Sequence, residues 1–307
     1  MLRCPVCGDT SKAILDLPVE TIRADLRRVF RQDLPPDLIE TDYTMRRCAA
    51  CDLVFADPMR PGSAAFYAWL TAFDSYHARA RWEWGEVRRH LERYGDRPVR
   101  MMELGCGTGL FLEYISDMPT VSVTGIDLSE SSVRAARAKG LDARHADLDD
   151  VLRTGERFDI VMLSHVLEHV ADPLGLARTI ISGLKPGGAL VFSVPYSPMS
   201  REHPAWDIMN LPPHHMTRWN ARSLRALADA TGTTLSLRLS KPKSPFKRAL
   251  KQTALVTKSG TSALGRFAAL LRHPRTFRTI HALHARRERV NGRRAGDTVL
   301  AILSLPG

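Results

Sequence analysis

The sequence predicts an α/β fold: a mostly parallel sheet covered on both faces by helices, with a small metal-binding segment in front and a basic helical insertion before the last strand. Three observations predict it. From residue 99 onward, short apolar runs alternate with helical periods, the signature of strand–helix–strand units. A glycine-rich turn, Gly105-Cys106-Gly107-Thr108-Gly109, joins the first of these strands to its helix. Four of the five cysteines form two Cys-x-x-Cys pairs within the first 51 residues, a spacing that suits metal ligation.

Residues 1–62 read as a zinc ribbon. Cys4, Cys7, Cys48 and Cys51 offer four thiolates in two knuckles. A site filled by four protein ligands is closed, so this zinc is expected to be structural. Cys7-Gly8 fits a tight knuckle turn, and Cys51-Asp52 fits it less obviously. Residues 63–98, with Phe66, Tyr67, Trp69, Tyr76, Trp82, Trp84 and Tyr94, read as a helical linker. The core spans 99–240, with strands at 99–103, 121–126, 158–163, 189–194 and 234–239. Its helices fall at 110–116, 131–139, 174–184 and 222–231, and 185–188 (Lys-Pro-Gly-Gly) reads as a turn. Residues 295–307 return the chain to the core as a last strand.

The 307-residue chain carries a net charge of +11, but the excess is local. Residues 241–294 hold 15 Lys and Arg against one acid, Glu288, a net of +14, which leaves −3 for the other 253 residues. A globally basic character is thereby excluded, and a local anionic partner is indicated. No run approaches the ~18 apolar residues of a membrane span. Met1-Leu2-Arg3-Cys4-Pro5 lacks the apolar core of a secretory signal, so the expected location is cytoplasmic, with peripheral contact at the inner membrane face.

Glu103 precedes the glycine turn, Asp127 ends the second strand, and Asp147 follows 20 residues later. A dinucleotide fingerprint requires a small residue where Leu110 stands, and no acid ahead of the glycines. With these acids and glycines, and with Leu-Lys-Pro-Gly-Gly at 184–188, the chain resembles the class I S-adenosylmethionine-dependent methyltransferases over 99–240 and 298–305. The resemblance implies a Rossmann-like sheet of seven strands whose last strand is antiparallel. It also implies roles: Gly105, Gly107 and Gly109 wrap the methionine part of the cofactor, and Glu103 faces its amino group. Asp127, with Leu128 beside it, takes the ribose hydroxyls; Asp147 accepts from the adenine amine; Ser164 and His165 flank the cofactor.

Leu163-Ser164-His165-Val166-Leu167-Glu168-His169 contains His-x-x-Glu-His, formally a zinc-peptidase pattern. Its place directly after a core strand favours a ligand-lining loop, with His169 in a chemical or a packing role. Residues 210–219, Asn-Leu-Pro-Pro-His-His-Met-Thr-Arg-Trp, gather His214, His215, Arg218 and Trp219 between a strand and a helix. The phrase from Arg46 to Pro58 resembles the zinc-binding segment of bacterial methyltransferases that modify sugars and natural products; in those relatives a histidine of this later loop can serve as base. His215 is the preferred base, with His214 and His169 as companions and Tyr196 as a lining residue; a neutral imidazole suits proton removal from a hydroxyl. His145 reads as a surface bystander.

In the insertion, Leu264, Phe267 and Leu271 form an apolar stripe, and Lys247-Arg248, Arg286-Arg287 and Arg293-Arg294 supply charge. Such a segment suits an anionic membrane surface, RNA phosphates, or a solvated lid or homodimer element. The expectation is a methyltransferase that O-methylates a hydroxyl of a sugar or another small or lipid-linked metabolite. RNA methylation, metal-dependent hydrolysis and cofactor binding without turnover are the alternatives.

Overall fold

The computed structural model describes residues 2–35, 37–73, 80–199, 208–242, 244–257, 259, 262–291 and 296–306. Tyr76, Arg293 and Arg294 lie outside them, as do the side chains of Arg286 and Arg287. The order is β1 (Ser11–Leu17), α1 (Val19–Phe30), β2 (Tyr43–Cys48), β3 (Val54–Asp57), α2 (Ala64–Thr71), α3 (Trp82–Leu91), β4 (Val99–Leu104), α4 (Leu110–Ile115), β5 (Val121–Asp127), α5 (Glu130–Arg137) and β6 (Ala143–His145). Then come α6 (Leu148–Arg153), β7 (Phe158–Ser164), α7 (Pro173–Ser182), β8 (Leu184–Pro195), β9 (Thr217–Arg218), α8 (Ala221–Thr231) and β10 (Thr234–Leu239). Helices α9 (Pro245–Val256), α10 (Ala263–Arg272) and α11 (Pro274–Asn291) precede β11 (Thr298–Ser304).

Seven strands form one sheet in the order β10-β11-β8-β7-β4-β5-β6. The β4–β5, β4–β7, β5–β6 and β7–β8 pairs are parallel, and β11 runs antiparallel to β8 with Val299 opposite Val194. This is the expected seven-stranded sheet in which the last strand of the chain is antiparallel. The central strand β7 is buried from Phe158 through Leu163, which explains the apolar run Ile160–Leu163. The chain leaves β4 toward β5 on one side and β7 on the other, so a crevice opens at the carboxyl ends of β4, β5 and β7, where open α/β sheets bind ligands. Residues 185–188 differ from the expected turn: they are absorbed into a longer β8, and α7 stops at Ser182. The short β6 and α6 flank Asp147, which caps α6 by accepting from Asp150 N at 2.7 Å.

A second sheet has the order β1-β2-β3-β9. Its first three strands come from the cysteine segment, and the fourth from the histidine loop, 160 residues on: Val54 faces Arg218 and Phe55 faces Thr217 in antiparallel register. The cysteine segment therefore shares its core with the large sheet. Cys4, Val6, Leu53 and Phe55 pack in one buried cluster with Leu163, Phe192 and Trp219. Fully burying a side chain such as Phe55 contributes about 1.5–3 kcal/mol.

The chain divides into two compact units, and the second comprises 198–201 and 239–297. There α9 and α11 pack through Ala249, Phe277 and Ile280, and His284 bonds to Gln252 at 2.7 Å in the interior. Leu264, Phe267 and Leu271 on α10 are exposed, so the apolar stripe points away from the core of this unit.

Candidate active site

The glycine turn is shaped by contacts on both sides. Gly105 takes φ +78°, and a Cβ there would stand 2.9 Å from Val166 Cγ2. Gly109 takes φ +79° at the start of α4, where a Cβ would meet Leu141 at 2.5 Å. Both sites demand glycine, by conformation and by space. Asp127, at the end of β5, anchors the turn: Oδ2 accepts from Gly107 N and Oδ1 from Ser129 N, each at 2.8 Å. Each carboxylate oxygen keeps a second lone pair for a ligand hydroxyl. Leu128 beside it is 75% exposed, an unusual position for a leucine and one that a ligand can cover. His145, expected as a bystander, bonds through Nε2 to Leu128 O at 3.1 Å and holds this loop.

Three buried polar atoms at or just beyond the ends of the central strands have no hydrogen-bond partner among the described residues: Glu103 Oε2, Ser164 Oγ and Glu168 Oε2. Glu103 is buried, and burial together with the neighbouring Asp127 carboxylate pushes its pKa up to about 8. Orphaned groups of this kind are costly to leave unmade. A ligand with a cationic amine and hydroxyls matches this donor and acceptor set, so the residues fit S-adenosylmethionine.

His165 follows β7 in a left-handed conformation, φ +56°. Its Nδ1 lies 2.9 Å from Glu168 Oε1 and its Nε2 3.3 Å from Glu83 Oε1. Glu83 comes from α3 and also accepts from Ser193 Oγ at 3.2 Å. Burial lowers the His165 pKa, but the Glu168 and Glu83 carboxylates outweigh it and hold the value above the usual histidine range. Both ring nitrogens face carboxylate oxygens, the arrangement of a clamped imidazolium. It therefore cannot ligate a metal together with His169, and 167–169 forms one 3-10 turn rather than a helix with one ligating face. The peptidase pattern does not assemble.

His169 turns instead toward the later loop. Its ring centroid lies 4.6 Å from that of His214 and 4.7 Å from that of His215, and the last two rings stack at 4.4 Å. Burial lowers all three pKa values, that of His214 to about 3. The cluster is thus neutral at pH 7. Met216 N donates to Glu168 O at 2.7 Å and Ala56 N to Met216 O at 2.8 Å, which fixes the loop from both sides. Arg218 turns away to Asn210 O, Trp219 is buried in the large core, and Tyr196 forms an isolated bridge with Trp219.

The four cysteines converge, with one sulfur from each within 4.8 Å of the others. Cys4 and Cys51 lie 3.6 Å apart, Cys7 and Cys48 3.4 Å. Tetrahedral zinc with bonds of about 2.3 Å separates its sulfurs by about 3.8 Å, so the donor set fits. Val6 N and Cys51 N point at Cys4 Sγ and Cys48 Sγ. Asp52 completes its knuckle in the left-handed region, φ +62°, the counterpart of Gly8 at +73°; its side chain is held by Arg47 and Asn220.

Glu83 was not visible from sequence, because a lone acid in an aromatic-rich helix carries no motif. Its replacement tests the clamp. Glu83→Gln strands a buried imidazolium on one carboxylate and is expected to cost about 3–5 kcal/mol in denaturant unfolding. Because the folded His165 pKa is raised, the stabilisation is complete below the unfolded value of about 6.5 and is lost as pH rises through the folded value. The gap between wild type and variant should therefore be widest near pH 6 and narrow in alkali. A gap that widens with pH would contradict the clamp.

The profile of the methyltransferase-domain family matches residues 76–236, more than half of the 307 residues. A ubiquinone biosynthesis O-methyltransferase of Methylobacterium nodulans is 34% identical over 113 residues, 33% of this chain and 45% of that protein. A protein of the same name from Ruegeria pomeroyi is 36% identical over 118 residues, 36% of this chain and 46% of that protein. The chain thus spans less than half the length of these relatives. Among solved structures, a SAM-dependent methyltransferase from Archaeoglobus fulgidus superposes with a TM-score of 0.52 at 18% identity, covering 78% of this chain and 99% of that one; it shows the fold. By profile match and by sheet order, the chain belongs to the methyltransferase-domain family, with the class I S-adenosylmethionine-dependent architecture.

Proposed function

We propose that this chain transfers the methyl group of S-adenosylmethionine to a hydroxyl of a small metabolite, a sugar or a lipid-linked compound. The observation that carries the reading is the orphaned, buried Glu103 carboxyl beside Asp127, a site short of a cation, at the sheet edge where the loop after β7 begins. The cofactor supplies a methyl group activated on a cationic sulfur. The chain's residues bind and orient. Glu103 takes the ammonium, Asp127 the ribose hydroxyls and Asp147 the adenine amine over Leu128. Gly105, Gly107 and Gly109 follow the methionine part, with Ser164 and the His165 clamp alongside. Neutral His215, flanked by His214 and His169, receives the acceptor hydroxyl: the O–H proton passes to the imidazole as the oxygen takes the methyl. Alignment of the two reactants supplies much of the rate in such a transfer. The curated relatives are named as O-methyltransferases, which supports a hydroxyl acceptor.

Cys4, Cys7, Cys48 and Cys51 hold a structural zinc in this reading. The second unit docks on an anionic membrane, which brings the enzyme to a lipid-linked acceptor. Its +14 charge over 241–294 and the exposed Leu264, Phe267 and Leu271 support this.

Three measurements test these assignments. Calorimetry should show S-adenosylmethionine binding, and Asp127→Ala should weaken it about 100-fold or more, since two charged hydrogen bonds of about 1.5–3 kcal/mol each are lost. With Glu103 protonated below about pH 8, binding at pH 7 should release a proton, so the heat should vary with buffer ionisation enthalpy; a buffer-independent heat would remove Glu103 as the ammonium partner. Elemental analysis of protein purified without added metal should find zinc that Cys48→Ser releases, with a lowered Tm; a zinc-free, fully folded wild type would refute the ribbon site. Sedimentation should need anionic vesicles and fade with salt, each Lys or Arg adding about 1 kcal/mol at low salt. Binding to RNA fragments but not to vesicles would transfer the basic unit to an RNA acceptor.

A further inference from the structure

We propose that His169, His214 and His215 hold a divalent transition-metal ion of the zinc class through their Nε2 atoms, separately from the cysteine site and with a coordination position open to the acceptor hydroxyl. The geometry carries it. One ring nitrogen from each histidine lies within 4.8 Å of the other two. The tautomers are set by partners that can only accept. His169 Nδ1 meets His214 O at 2.6 Å, and His214 Nδ1 meets Met209 O at 2.7 Å. His215 Nδ1 meets the amide oxygen of Asn210 at 3.0 Å. Each Nδ1 therefore carries the proton, and in each neutral ring the lone pair sits on Nε2. Metal-bound histidines show this outer shell, with the second ring N–H given to a carbonyl that orients the ring and raises its basicity. Tyr67 reinforces it by donating to His214 O at 3.3 Å, within 3.3 Å of His169 Nδ1.

With each Nδ1 committed to a carbonyl or amide oxygen, the three imidazoles present the form in which histidine ligates. Three nitrogen donors suit zinc and its neighbours and leave a position open, in contrast to the closed thiolate set. Tetrahedral bonds of about 2.1 Å bring nitrogens to about 3.4 Å apart, so the ion would draw the three rings together. The role of the ion deepens the O-methylation reading and rests on it. A bound ion lowers the pKa of coordinated water to about 7, and an alcohol hydroxyl is acidified likewise. The O–H proton then leaves to solvent, and the C–O bond forms as the methyl–sulfur bond breaks, leaving a neutral thioether. With the ion bound, His215 is a ligand and the ion takes over the activation of the hydroxyl that the free imidazole performs as base in the reading above.

Cobalt(II) is the probe. The full chain is stripped with a chelator, given one equivalent of zinc to refill the cysteines, and titrated with cobalt(II). One equivalent should bind with the weak visible bands of nitrogen and oxygen ligands, without intense thiolate charge transfer. His169→Ala and His215→Gln should each weaken this uptake more than about 100-fold, beyond the 10–100-fold cost of losing an outer-shell partner, while S-adenosylmethionine binding persists. Should the variants misfold, wild-type cobalt protein should show three paramagnetically shifted, exchangeable imidazole N–H resonances, one for each Nδ1. No uptake beyond the cysteine-held ion, uptake indifferent to both variants, or absence of the shifted resonances overturns the proposal. Methyl transfer is assayed separately: cobalt held by the histidines in a protein that methylates no hydroxyl would support the site and defeat the O-methylation reading.

Discussion

The pairing of β3 with β9 is the constraint on which the site depends. Two residue pairs, Val54 with Arg218 and Phe55 with Thr217, carry the histidine loop onto a sheet made otherwise by the cysteine segment. The bonds Gly62 N to Pro213 O and Ala56 N to Met216 O extend that edge. Without it, residues 211–216 would be a proline-rich loop over the sheet edge. With it, they are buried, and His214 and His215 reach His169 in register. A strand as short as β9 contributes little by its own hydrogen bonds. Its strength comes from packing, through Trp219 and Phe55 in the large core and Met216 in the neighbouring one.

The sheet edge is divided electrically. Toward the glycine turn stand Glu103, Asp127 and Asp147, an excess of carboxyl groups awaiting a cation. Toward the later loop stand three neutral imidazoles. Between them Glu168 faces both ways: its carboxylate holds the protonated His165, and its backbone carbonyl receives Met216 N. One residue thereby sets the charge state on one side and the loop position on the other. Four neighbouring histidines divide because two carboxylates bond His165 directly, whereas at His169 burial outweighs the pull of Glu168 and at His214 and His215 burial dominates.

Much of this was legible in the sequence, for a local reason. Glu103, the glycines and Asp127 lie at strand ends, and strand ends are readable from apolar runs and turn residues. The cysteine knuckles are readable from spacing. The remainder depends on long-range pairing that no local pattern records. His169 and His214 are 45 residues apart, and their meeting follows from β9. The His-x-x-Glu-His spacing suggested one ligating face, but Asp172 and Pro173 begin α7 too soon for a helix to form there. Residues 185–188 have a turn composition, and within β8 they form the irregular stretch where the register with β7 shifts between Phe158–Leu184 and Ile160–Ala189. Asp52 was doubtful as a knuckle residue because it lacks glycine's freedom; the bonds from Arg47 and Asn220 hold it in the left-handed region.

The shared core of the cysteine segment and the large sheet bears on how this chain can be cut or recombined. A segment that were a detachable module could be exchanged for another docking element at a boundary near residue 62. Here that cut would leave β9 as an unpaired edge and uncover Leu163, Phe192 and Trp219 together, an apolar face contiguous with a strand edge, the combination that invites aggregation. The N-terminal segment and the histidine loop must therefore be inherited as a pair, and a graft that moves one requires the other.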